Sequence, residues 1–172
     1  MSKPVYFKSL SVSVVSLALS ACATTYSSFN DEPLDLKDRI TELTLSATDA
    51  WSPESGVFDI ADVEQFYMQN ENLLAYDQTS PSTTVIRGYD KWKAVWTPFM
   101  AGFTDWSFRP ASEIEVRAGS NVSVATFLVD VQGTTIADGS LFEAQGHVTW
   151  VWQNTDAGWV IGHEHISFPV KP

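Results

Sequence analysis

The chain has 172 residues, 44% hydrophobic, 13% aromatic and only 18% charged, the composition of one folded domain rather than of a disordered segment. Its 21 acids against 10 bases give a formal charge of −11 with no basic cluster, which excludes a nucleic-acid surface. The single cysteine excludes an internal disulfide and any zinc site built from several thiolates.

Lys3 and Lys8 precede an apolar run, Leu10 to Ala21, that is too short to span a bilayer as a helix. The run ends in Leu19-Ser20-Ala21-Cys22, the order of parts in a secretory signal with a cysteine at the cut. This stretch resembles a bacterial lipoprotein signal. The resemblance implies that residues 1–21 are removed and that Cys22 carries lipid, anchoring a periplasm-facing protein to a membrane. Ala23 after the cysteine resembles outer-membrane sorting. Residues 22–33 are rich in Ser, Thr, Asn and Asp without periodicity and read as a flexible tether. The domain proper then covers residues 34–169, with a tail at 170–172.

Leu36, Ile40, Leu43 and Ala47 fall on one helical face, with Asp35 placed as N-cap and Trp51-Ser52-Pro53 as terminator. Asp59 is placed to cap a second, shorter helix in which Ile60, Val63 and Tyr67 share a side. Leu73 to Asp77 reads as a brief extended piece before a polar Ser/Thr/Pro loop. Gly88 opens a third helix on Trp92, Val95, Trp96 and Phe99, which Pro98 should kink or shorten.

After Phe103 the period becomes two. Ile114 and Val116 alternate with charged neighbours, and residues 103–109 are read as a loop. Two long β-rich runs, residues 122–132 and 140–153, flank a turn between Gly133 and Gly139. A second turn at 154–158 leads into the closing strand, 159–168. Helices followed by a meander of long strands predict an α+β domain: a cone-shaped, curved antiparallel sheet closed by two or three N-terminal helices.

The closing string Gly158-Trp159-Val160-Ile161-Gly162-His163-Glu164-His165-Ile166-Ser167 is similar to the terminal strand of the SnoaL-like group. That group belongs to the nuclear-transport-factor-2-like superfamily, alongside ketosteroid isomerase. Tyr76-Asp77 and Gly88-Tyr89-Asp90 add weaker resemblance. Many relatives carry an Arg on the penultimate strand where this chain has His147, followed by Thr149, so no anion-pairing role is carried over. The superfamily holds isomerases, dehydratases and plain binding modules, and the fold alone does not choose among them.

All three histidines, His147, His163 and His165, lie in the last two strands. Period two puts His163 and His165 on one face with Ile161, and the resemblance favours that face inside, with Glu164 outside. The expected registers set His147 opposite His163 or His165. The three rings are then wall residues satisfied by local hydrogen bonds, an acid/base or ligand-orienting cluster, or, as a further alternative, a three-His metal site; no metal is assigned. Asp77 resembles, by position, the carboxylate that shuttles a proton in ketosteroid isomerases, so Asp77, His163 and His165 are the catalytic candidates. An oxyanion needs donors as well; Tyr76 or Tyr67 supplies one, and no second is evident. Tyr76, Trp92, Trp96, His147, Thr149 and Ile161 are the ligand-binding candidates.

With histidines inside, Trp150 and Trp152 fall on the outer face, and a second subunit is the simplest cover, predicting a homodimer. The expected function is binding of a small apolar or carbonyl-bearing molecule without a cofactor. Two alternatives stand beside it: an isomerase- or dehydratase-type enzyme using Asp77 or a His as base, and an assembly module with a filled pocket.

Overall fold

The structure, a computed structural model, describes residues 34–53, 58–77 and 84–169. The signal segment, the tether, Cys22 and the tail at 170–172 lie outside these residues. Among the described residues, three helices and seven strands follow in the order α1 (Leu34–Ala50), α2 (Ile60–Glu64), β1 (Leu74–Asp77), β2 (Thr84–Arg87), α3 (Tyr89–Met100), β3 (Phe103–Pro110), β4 (Glu115–Arg117), β5 (Val122–Thr135), β6 (Leu141–Thr155) and β7 (Gly158–Ser167).

One curved, unclosed sheet runs β2-β1-β7-β6-β5-β3, with β4 also on β5. It is mixed rather than wholly antiparallel, because β1 pairs parallel to β7 through Leu74↔His163, Ala75↔Glu164 and Tyr76↔His165. The α+β architecture matches the expectation; the parallel pair does not, and it brings the end of β1 beside the middle of β7. The long hairpin β5–β6 is the backbone of the sheet, pairing from Val122↔Gln153 to Thr134↔Leu141. Strict alternation along β5 buries Ser123, Ala125, Phe127, Val129 and Val131 on the inner face.

Helix α1 buries Ile40, Ala47 and, at its end, Trp51, with Leu36 and Leu43 packed against this core. It begins at Leu34, so Asp35 lies within it rather than before it. Asp59 caps α2 as its sequence position predicts, accepting from the Ala61 N–H at 2.9 Å. Pro98 does not shorten α3, which continues to Met100, because a proline in the last turn removes a single amide bond.

Two strands depart from the sequence reading. Residues 84–87 form β2, and residues 103–110 form β3, where a loop is expected. Ser52 explains how β3 is held: its Oγ accepts from the Phe108 N–H at 2.6 Å and donates to the Phe108 carbonyl at 2.9 Å. The end of α1 thereby satisfies strand backbone that would otherwise face an unpaired edge.

Candidate active site: two buried carboxylates under an aromatic roof

Successive residues of β1 point to opposite faces, so Leu73, Ala75 and Asp77 are buried while Leu74 and Tyr76 look outward. Asp77 is 1% exposed. On the neighbouring strand Glu164 lies opposite Ala75 and is 0% exposed. Two acids therefore stand on the same inner face, two positions apart along the β1–β7 pair.

Glu164 has its hydrogen bonds supplied. Its Oε2 accepts from the Tyr67 hydroxyl and from Trp150 Nε1 at 2.7 Å, and its Oε1 accepts from Trp92 Nε1 at 3.3 Å. Tyr67 in turn accepts from Trp51 Nε1 at 3.2 Å, which commits its own proton to Glu164. Burial raises the Glu164 carboxyl above the usual range, and the bonds from Tyr67, Trp150 and Trp92 oppose that rise. Tyr67 is pushed well above an ordinary phenol, first by burial and then by the Glu164 charge, so it stays a donor.

Asp77 has none of this. Neither of its carboxyl oxygens has a hydrogen-bond partner. The Trp96 indole favours its charged form from nearby, without reaching hydrogen-bond geometry. Burial, then the repulsion of Glu164, hold the Asp77 carboxyl well above the ordinary carboxylate range. Both causes favour the neutral form of the carboxyl, which has one O–H to donate.

Asp77 opens into a cavity of about 80 Å³ whose other walls come from Trp51, Trp96, Trp106, Phe108 and Phe142, among others. One water needs about 10–15 Å³ by this measure, so there is room for several waters or one small organic molecule. The Nε1 donors of Trp96 and Trp106 are buried and also unpartnered. Around one apolar chamber the protein thus sets a carboxylic acid and two indole N–H groups with nothing bonded to them. Unsatisfied buried donors cost stability, and their clustering at one hollow is the pattern of a site built to receive an acceptor.

The remaining candidates divide by sheet face. Trp96 lines the cavity, Trp92 lies beneath it on Glu164, and Ile161 is fully buried. The histidines are on the wrong side for the role expected of them. His147 and His165 are exposed, and half-buried His163 binds the Leu74 carbonyl through Nδ1 at 2.9 Å. Tyr76 shares that outer face, its ring edge-on to His163 at 5.5 Å and to His165 at 6.2 Å, and Thr149 lies there too, paired with His165. The register also differs from both expected ones: His147 faces Ser167, and His163 faces Val151. Among the described residues no group of three or more His, Cys, Asp or Glu is placed to hold a metal ion.

The cause is one residue. Pairing slips between Val151/His163 and Trp152/Ile161, leaving Gly162 as the extra residue of a β-bulge. The bulge resets the alternation, so Ile161 and Glu164 both point inward and the histidines are turned out. Phe66 and Met68 hold it from the other side, with the Ile161 N–H on the Phe66 carbonyl at 2.7 Å and the Met68 N–H on the Ile161 carbonyl at 3.0 Å. A glycine inside an alternating strand is the sequence signal for such a slip.

The same correction applies to the tryptophans. Trp150 and Trp152 are 0% exposed on the inner face and unavailable to a second subunit. Each can be buried because its indole N–H finds an acceptor, Glu164 for Trp150 and the Thr44 hydroxyl, at 3.1 Å, for Trp152.

A curved sheet with helices over its inner face and an acid at the end of a hollow defines a cone-fold pocket domain. A family model of the SnoaL-like domain matches residues 46–171, and the chain belongs to that family. The fold is shared with an NTF2-like superfamily protein from Salmonella enterica (TM-score 0.65, 20% identity, 80% of this chain and 93% of that one). It is shared also with a candidate dehydratase of the NTF2-like family from Streptomyces avermitilis (0.67, 13%, 81% and 100%). The association domain of C. elegans CaMKII is a third (0.59, 17%, 80% and 99%). No curated protein sequence matches the chain.

Proposed function

We propose that the domain binds a small, largely apolar molecule bearing a carbonyl or similar acceptor oxygen, which Asp77 engages as a neutral hydrogen-bond donor. The observation that carries this reading is Asp77 itself, buried, unpartnered and facing an aromatic hollow. An acid kept protonated by an apolar site donates a strong hydrogen bond to a developing or resting carbonyl oxygen. The unpartnered N–H groups of Trp96 and Trp106 favour an acceptor-bearing guest in the same way. The open hollow disfavours an assembly module with a filled pocket, and the outward histidines leave an enzyme reading without an imidazole base. Turnover, if the family's dehydratase-type chemistry applies, starts with Asp77 as acid rather than as base.

The test compares small cyclic ketones with hydrocarbons of the same shape, read by tryptophan fluorescence. The ketones are expected to bind about tenfold tighter, and Asp77→Leu to remove the difference. Equal affinity for ketone and hydrocarbon in the parent chain contradicts the proposal.

We further place the domain on the periplasmic face of the outer membrane, anchored through lipid on Cys22. The Leu19-Ser20-Ala21-Cys22 string and Ala23 support this. Cys22→Ala is expected to release the protein from membrane fractions, and retention contradicts the anchor. A homodimer through the outer sheet face draws support from the likeness to an association domain, with Tyr76 and His163 rather than the tryptophans at the contact. Sedimentation as a monomer contradicts it.

A further inference from the structure

We propose that Glu164 is a positioning residue for Asp77: its carboxylate, held charged by three donors, keeps the proton on Asp77 and so keeps Asp77 a donor toward the hollow. The inference rests on the reading of Asp77 as the pocket's acid and names what sets that acid.

The donors around Glu164 dictate its state. Indole N–H groups donate only, and the Tyr67 proton is committed by the Trp51 bond, so Oε2 faces two donors and Oε1 one. A proton on Oε2 would point at another proton. Asp77 faces no donor at bonding geometry. Of two acids close enough to interact in a dry interior, one ionises and the other stays neutral, and hydrogen bonding selects which. The titratable group acting on Asp77 is Glu164 from β7, while Asp77 itself acts on Tyr67; Thr84 of β2 pairs with Asp77, and the cavity beside it is otherwise lined by aromatic and aliphatic side chains. Among the described residues, no lysine, arginine or histidine shifts either carboxyl. Glu164 is therefore the negative charge, among the described residues, that selects the state of Asp77, and it does so from outside the cavity lining.

Carboxyl carbon-13 NMR of the full chain, labelled at Asp and Glu side chains and assigned with Asp77→Asn, reads the two sites separately without a ligand. In the parent chain Asp77 is expected to stay protonated through neutrality. Glu164→Gln should lower the Asp77 midpoint by about one pH unit or more, since it removes the facing charge. Tyr67→Phe removes one donor and serves if Glu164→Gln does not fold. It should raise the Glu164 midpoint and lower that of Asp77, moving the pair in opposite directions. Loosened packing alone would carry both toward ordinary values together. An Asp77 midpoint unmoved in Glu164→Gln, or a parallel fall of both in Tyr67→Phe, overturns the proposal. If instead Asp77 responds as expected but Asp77→Leu binds ketones like the parent, the pocket reading fails and the positioning role stands.

Discussion

Glu164 sits on a floor of donors, with every oxygen engaged and no exposure; Asp77, two positions along the same inner face, borders a hollow with both oxygens idle. One region is finished as a protein interior should be, and the other is left open at a cost. An unmet buried carboxyl forfeits about 1–3 kcal/mol of solvation, so the contrast separates what the fold needs from what the site needs. Floor substitutions should cost stability, and chamber substitutions should cost binding.

The largest expected effect is on the floor. Glu164→Ala strands Tyr67, Trp92 and Trp150 without their acceptor and opens a void, and Trp150→Ala removes a fully buried indole. Each should lower the free energy of unfolding in urea by about 3–5 kcal/mol. A loss below about 1 kcal/mol for both would erase the distinction.

In the chamber the sign reverses. Asp77 is raised well above its ordinary value, so the folded state holds its proton where the unfolded chain has released it. Its stabilising contribution is full below the unfolded value near 3.8 and is lost as pH climbs through the folded value. Melting curves should show stability declining over that window, and Asp77→Asn should flatten the decline. Asp77→Leu, at neutral pH, should be neutral or stabilising by about 1 kcal/mol while abolishing ketone selectivity.

A smaller effect sharpens the boundary between the regions. Thr44→Val deprives the Trp152 N–H of its acceptor and should cost about 1–2 kcal/mol without touching ketone affinity. Least affected are the exposed imidazoles: His147→Ala and His165→Ala should shift stability by about 0.5 kcal/mol or less and leave binding unchanged. A large loss of binding in either would return the site to the outer face.

Much of this was legible in the chain. The 3.6 period of α1 and α3 and the long alternation of β5 and β6 follow from side chains that report their own burial. Asp77 became a candidate through its resemblance in position to the proton-shuttling acid of ketosteroid isomerases, not through its own pattern, which reads as a turn-forming carboxylate after a short strand. Glu164 was not legible, since an acid between two histidines on a half-apolar strand reads as surface until its neighbours are known. The partners that make it an interior residue come from α3, β6 and the Tyr67 segment, far away in sequence. Parity counted from Ile161 failed at Gly162, where one unpaired residue inverts every side chain beyond it. Trp150 and Trp152 followed that inversion, and the acceptors that let them go inside, Glu164 and Thr44, carry no local signature. Strand β3 was read as a loop although it pairs with β5 along its length, and the Ser52 that meets its other edge at Phe108 lies 56 residues away.

If Asp77 faces the hollow as a neutral acid at physiological pH, infrared difference spectroscopy between the parent chain and Asp77→Asn will show it. A protonated-carboxyl stretch is expected at neutral pH, one that vanishes in the variant and shifts when a cyclic ketone is added. A difference spectrum containing carboxylate bands alone, unmoved by the ketone, would contradict it.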